Sequence, residues 1–242
     1  MAAAATIPIT PSSGFGFKFI DNTVVPVTLE IMRTFPDAMV IASGIFALLT
    51  LSMPFGVFFG SMVETTFIFR LIRGATSYLN VMRGVRSDFT DKCRTGFSTS
   101  TLNTLSLFGS GGMNASFPSA PIFMLSTAAA YVFGSLNRLS KELQASGPAY
   151  SSRYYVSAIF LLLLLFIFTA FRILYGCDTF GVIMVTIPIG LILGTLLIQQ
   201  NARLFGDESI NLVGIPLLRN RAANGKKLYV CATKAADANA SA

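Results

Sequence analysis

The chain contains no histidine and no tryptophan, and little charge of either sign. Charged residues make up 12% of the 242 residues, and hydrophobic residues 53%. A soluble domain usually carries about 25% charged residues. Half that amount cannot cover the surface of a water-soluble protein of this size, so the composition predicts an integral membrane protein. The missing histidine excludes Ser-His-Asp triads, His-based general acid/base chemistry and His metal sites. A serine, threonine or cysteine nucleophile would then need lysine or a carboxylate as its base, and no such pair is suggested by spacing. No enzyme activity and no cofactor or metal are expected.

Cysteine is also scarce. Cys93, Cys177 and Cys231 are widely separated and form no CxxC motif. That spacing gives neither a disulfide framework nor a zinc site, and predicts three unpaired thiols in a reducing environment. The first residues, MAAAATIPITPSSGFGF, show no basic n-region and no apolar h-region. Internal spans are therefore expected to direct membrane insertion.

What is present are long uncharged runs. Residues 1–37 read as an N-terminal arm, irregular at first, with a short strand or entry segment over Thr23–Ile31. Pro26 would limit that strand to an edge. Ala38 to Val63 has no charged residue and reads as one span, kinked or tilted by Pro54. Gly56 and Gly60 give it a face for close helix packing. From Glu64 to Asp91, Ile72, Leu79 and other apolar residues recur at three- and four-residue steps, with Arg70 and Arg73 opposite them, Arg83 at their border and Arg86 on the apolar side. The pattern is a basic amphipathic helix, either lying in the membrane interface or packed on protein. A Ser/Thr/Gly-rich loop completes residues 64–119. Its Gly109-Ser110-Gly111-Gly112 stretch lacks the Lys-Ser or Lys-Thr of a phosphate-binding loop.

Residues 120–136, led by Pro118 and Pro121, form a second span at the lower limit of length, or a re-entrant segment. A connector, 137–153, precedes the most apolar segment, 154–175. Gly176-Cys177-Asp178 is a tight turn, across which Arg172 and Asp178 are placed to pair. The last span is 179–198, in which Gly190 and Gly194 form a GxxxG face. Residues 199–242 make a basic arm. Its apolar runs flank an Asn224-Gly225 turn, which suggests a short β-like hairpin. The expected fold is thus an all-α membrane protein. It has about four transmembrane helices (three if 120–136 does not cross), an interfacial amphipathic helix and a C-terminal β-like arm.

The net charge of +7 avoids the spans. The connector and tail carry Arg138, Lys141, Arg153, Arg203, Arg219, Arg221, Lys226, Lys227 and Lys234, which places them on the cytoplasmic side. The candidate spans hold no ionisable residue except at their ends, which argues against a proton-coupled carrier. A passive channel lined by Ser43, Thr50, Ser52, Thr186 and Thr195, and a membrane-shaping hairpin, are the alternatives to a structural role. Arg70, Arg73, Arg83, Ile72, Leu79, Arg219, Arg221, Lys226 and Lys227 are the candidate contacts with lipid or partner proteins. Gly56, Gly60, Gly190 and Gly194 are the candidate helix-packing positions.

The hairpin FLLLLLFIFTAFRILYGCDTFGVIMVTIPIGLILGTLLIQ, followed by FGDESINLVGIPLL and NGKKLYVCA, covers residues 160–234. It resembles small multi-span membrane proteins of nucleocytoplasmic large DNA viruses, a group that includes minor capsid proteins of algal viruses. The resemblance implies a virion protein of the internal lipid membrane, passing through host endomembrane during assembly. Its partners would be the bilayer and neighbouring capsid or membrane proteins within a large complex. It implies no catalytic residue and no direct nucleic-acid binding.

Overall fold

The computed structural model describes residues 24–79, 93, 95–98, 104–105, 107–108, 117–145, 148–212 and 214. The chain opens with helix α1, Val25–Thr50. Pro26 sits in its first turn, where a missing N–H costs nothing. The β-branched run around Val24 suggested a strand, but the buried positions are Leu29, Met32, Pro36, Val40 and Ser43. Steps of three and four make that a helical face, and the helix wins because this face has a core to bury. Residues 24–37 therefore belong to a helix and not to an irregular arm.

Helix α2, Met53–Tyr78, runs back beside α1. The uncharged run 38–63 is not one span. It is two half-helices joined at Leu51, whose φ is 46°, and Ser52, whose backbone is extended. Proline disfavours helical geometry in the residue before it and is well placed in a first turn. Pro54 thus starts α2 and does not kink a continuous helix. The same helix continues without a break through Glu64 to Tyr78, so residues 64–78 are the far turns of a membrane-length helix and not a separate interfacial one. The remainder of the expected amphipathic helix, 80–91, lies outside the described residues.

A two-residue antiparallel ladder follows. Strand β1, Phe97–Ser98, pairs with β2, Thr104–Leu105, in the register Phe97 to Leu105 and Ser98 to Thr104. Helix α3, Ala120–Arg138, begins where Pro118 and Pro121 predicted. It is the centre of the bundle. Its first nine residues and Tyr131, Ser135 and Leu136 are buried, and it packs most extensively on α6 while touching α1, α2 and α5. A short helix α4, Ser140–Ala145, leads to α5, Pro148–Leu174. Helix α6 is Phe180–Phe205, with the Thr179 hydroxyl accepting from the Val182 N–H as its N-cap. A 3-10 turn, Asp207–Ile210, buries Ser209 and Ile210 against the bundle. The residues beyond 214, with the expected β-like arm, lie outside the described residues.

Among the described residues, five helices are long and apolar enough to cross a membrane: α1, α2, α3, α5 and α6. The protein is a helical membrane protein with one two-residue ladder, and the fifth candidate span comes from the division at Leu51. The core lies between α2, α3 and α6, around Phe58, Met62, Phe69, Phe123, Tyr131 and Leu197. A second cluster, Met32, Ile122, Leu125 and Phe168, joins α1, α3 and α5. The outside is apolar too. Leu48, Leu49, Phe67, Val156, Phe160, Leu162, Phe166 and Ile192 are all exposed. In water this surface would be a liability, whereas in hydrocarbon it is the solvent-facing side.

Candidate functional site

The two ends of the bundle differ. One end gathers the start of α1, the end of α2, the start of α3 and the α5–α6 turn. The other holds the α1–α2 turn, the end of α3, α4, the start of α5 and the end of α6. The first end is locked by several polar contacts. Arg172 and Asp178 form an ion pair, with Nε to Oδ2 at 2.6 Å and side chains 7% and 1% exposed. The Ser119 hydroxyl donates to the same Asp178 oxygen, and Arg172 Nη1 donates to the Cys93 carbonyl at 3.3 Å. The pairing expected across the turn is present, and it reaches further than expected, to the start of α3 and to Cys93.

Cys93 itself is bonded to Cys177, with Cα atoms 5.2 Å apart. This corrects the expectation of three unpaired thiols. A separation of 84 residues carries no local signal, and only the return of the chain through α3 and α5 brings the two together. Cys231 lies outside the described residues.

Beside this bond, Gly96, Leu107 and Phe108 dock against α1 and α2. The Gly96 N–H donates to the Arg33 carbonyl at 2.9 Å. The Leu107 N–H donates to the Asp37 carboxylate at 2.6 Å, and Arg70 Nε donates to the Leu107 carbonyl at 2.7 Å. The backbone N–H and carbonyl of one residue, Leu107, are thereby held by an acid on α1 and a base on α2. Phe108 fills the space next to it, edge-on to Phe69 at 5.1 Å. Arg70, expected to contact lipid or a partner, is used internally. Arg73 lies over the Phe69 ring at 5.9 Å, and Ile72 packs against the core. Leu79 is exposed. Of these two candidate contacts, Leu79 is thus open at the surface and Ile72 is turned to the core. Arg83, Arg219, Arg221, Lys226 and Lys227 lie outside the described residues.

Toward the other end, Asn201 Nδ2 donates to Ser61 Oγ at 2.6 Å and to Tyr131 Oη at 3.0 Å. This network ties α6 to α2 and α3, and all three side chains are buried. An amide inside an apolar bundle costs free energy unless it is bonded, so the network favours one register of the three helices. Asn201 was not singled out by pattern. Its signal is a lone carboxamide on the buried side of a helix whose neighbours Leu197, Ile198 and Ala202 are all buried.

The glycine positions separate into two groups. A Cβ at Gly190 would collide with Ser126 Oγ and lie 3.0 Å from the Phe123 carbonyl oxygen. One at Gly194 would collide with the Thr127 carbonyl and lie 2.7 Å from the Ala130 Cβ. Here α3 and α6 meet backbone to backbone. At Gly56 and Gly60 a Cβ would meet nothing within 4 Å among the described residues.

Comparison with protein-family models, with curated proteins and with solved structures returned no match. The hydroxyls considered as a pore lining are mostly occupied. Ser43 donates to the Val40 carbonyl, Thr50 to Phe46, Thr186 to Val182 and Thr195 to Leu191. Each bonds its own helix, as helical Ser and Thr commonly do. Ser43 and Thr186 are buried in packing contacts, whereas Thr50 and Thr195 face outward, so the four share no axis.

Proposed function

We propose that this protein is a structural, polytopic membrane anchor that ties a protein assembly to a lipid bilayer. In its most concrete form it is a minor capsid component linking a viral internal membrane to the capsid shell. The observation that carries the reading is where the polar groups of the bundle are spent. Arg172, Asp178, Ser119, Asp37, Arg70, Asn201, Ser61 and Tyr131 all bond within the protein and hold helices and the docked residues together. A transport path would instead leave such groups facing a shared cavity. Ten of the eighteen lysines and arginines belong to the sequence beyond the described helices, which suits docking on lipid headgroups or neighbouring proteins.

Purified virus particles provide the test. The protein should be present in them, resist carbonate extraction, and leave with mild detergent together with shell proteins. Its absence from particles, with release from membranes as a lone monomer, would overturn the anchor role. The channel reading is tested by reconstitution in liposomes. A selective flux lost on substituting Ser43 or Thr186 would replace the anchor with a pore.

A further inference from the structure

We infer that the end of the bundle carrying the Cys93–Cys177 bond faces an oxidising compartment, and that the connector and C-terminal arm face the cytosol. The inference rests on the membrane-protein reading but not on the anchor role. Between Cys93 and Cys177 the chain runs through two long helices, α3 and α5. A covalent bond requires both cysteines to lie at the same membrane face. The chain must then cross an even number of times between them. Helix α5 contains the most apolar window of the five and crosses on that ground. Helix α3 must therefore cross as well, and cannot be re-entrant. Helix α6 carries the chain away again, so everything after Phe205 starts at the opposite face.

Redox chemistry assigns the compartments. Disulfides persist outside the cytosol and in the secretory lumen, and are rare where glutathione keeps thiols reduced. Forming the bond removes two protons and two electrons from the Cys93 and Cys177 thiols. The acceptor is a disulfide of a thiol–disulfide oxidoreductase in that compartment, which leaves as a dithiol. Lysine and arginine do not separate the two faces. The connector, the end of α6 and the tail carry nine of the eighteen, and the other nine, six of them between residues 64 and 119, fall on the disulfide face. The compartments are therefore assigned by the disulfide alone. The surfaces available to partners are thereby divided. The segment between α2 and α3 meets lumenal or external components, and the basic connector and tail meet cytosolic ones.

Cys231 makes the assignment testable in the native chain. The full-length protein is inserted into sealed endoplasmic-reticulum vesicles, whose outer surface is cytosolic. These are treated with a membrane-impermeant, gel-shifting maleimide. One labelled site is expected on intact vesicles, lost in the Cys231→Ser variant. Two further sites are expected only after the vesicles are opened and reduced. A C-terminal epitope should also be removed by protease added outside, which gives a second readout independent of any cysteine variant. Protection of Cys231 and of the epitope in intact vesicles would overturn the orientation. So would labelling of Cys93 or Cys177 in intact vesicles without reductant. Release of the protein by carbonate would instead overturn the membrane reading itself. Loss of the anchor role in particles would leave these results unchanged.

Discussion

Gly194 and Asn201 are about two helical turns apart on α6, and each holds the bundle by a different force. Gly194 acts by absence, because its missing Cβ lets α6 approach the Thr127 carbonyl and Ala130 of α3. Gly194→Leu should push the helices apart and cost about 1–3 kcal/mol, the usual penalty of overpacking. Gly60→Leu adds the same side chain where nothing lies within 4 Å, and should leave stability near that of the parent. Thermal melting in detergent compares them directly, and equal loss from both would mean that the α3–α6 approach is not what Gly194 serves. Asn201 acts by bonding. Interhelical hydrogen bonds in membrane proteins average about 0.6 kcal/mol and reach about 1.7 kcal/mol. Asn201→Leu should cost an amount in that range, and a double-mutant cycle with Ser61→Ala should show coupling between the two positions. The glycines were visible in sequence as GxxxG pairs, but the pattern could not separate Gly190 and Gly194, which α3 covers, from Gly56 and Gly60, which no described residue approaches. Covered and uncovered pairs differ only in what lies across from them. Asn201 was not visible at all, because a single amide carries no period.

At the scale of the element, the α1–α2 hairpin shows where sequence pattern misleads. Hydropathy reports a lack of charge, and the run from Ala38 to Val63 has no charge on either side of its turn. Nothing charged marks the reversal, and Thr50 and Ser52 look no different from the hydroxyl residues within spans. The signal that was present is Pro54, which permits either a kinked helix or a new one. The decision falls to Leu51, which adopts a left-handed φ of 46° and is 87% exposed. A left-handed conformation costs a non-glycine residue about 1–2 kcal/mol. Leu51→Gly should therefore leave stability unchanged or raise it by about 1 kcal/mol. In a continuous helix the same change would lower it by about 1 kcal/mol. The sign of the change in melting temperature thus separates a hairpin from a kinked span. Leu51→Val, β-branched at the same φ, should be destabilising in the hairpin. By contrast α3, α5 and α6 were legible, although α5 starts six residues before its expected span and α6 ends seven residues after. Their ends are marked by Pro118 and Pro121, by Arg138, and by the Gly176-Cys177-Asp178 turn, each of which carries a local chemical reason to stop or start.

For the whole molecule, the Cys93–Cys177 bond has the longest reach. It closes a loop that contains α3 and α5, the central helix and an outer one, and it sits beside the buried Arg172–Asp178 pair. The two interactions support each other, because Arg172 also bonds the Cys93 carbonyl. On a chain-entropy estimate, a loop of this length contributes up to about 4–5 kcal/mol. That figure assumes an unfolded chain free in water. Helices that stay inserted in detergent or lipid have already lost much of that freedom, so the stabilisation should fall well below the estimate. The ion pair is a separate matter. Removing one member of a buried pair strands the other, at about 3–5 kcal/mol, whereas removing both can be nearly neutral. These magnitudes predict an order of effects. Arg172→Leu should lower the melting temperature most, Cys93→Ser with Cys177→Ser should lower it less, and Arg172→Leu with Asp178→Leu least. A reductant should lower the parent to the level of the double serine variant and leave that variant unmoved. A parent that melts at one temperature with and without reductant would show that the non-covalent contacts of Gly96, Leu107, Phe108 and the Cys93 carbonyl suffice, with the covalent bond adding nothing to stability. If Arg172→Leu also lowers the disulfide-bonded fraction on non-reducing gels, then the ion pair positions Cys93 before the bond forms, and polar packing precedes covalent closure at this end of the bundle.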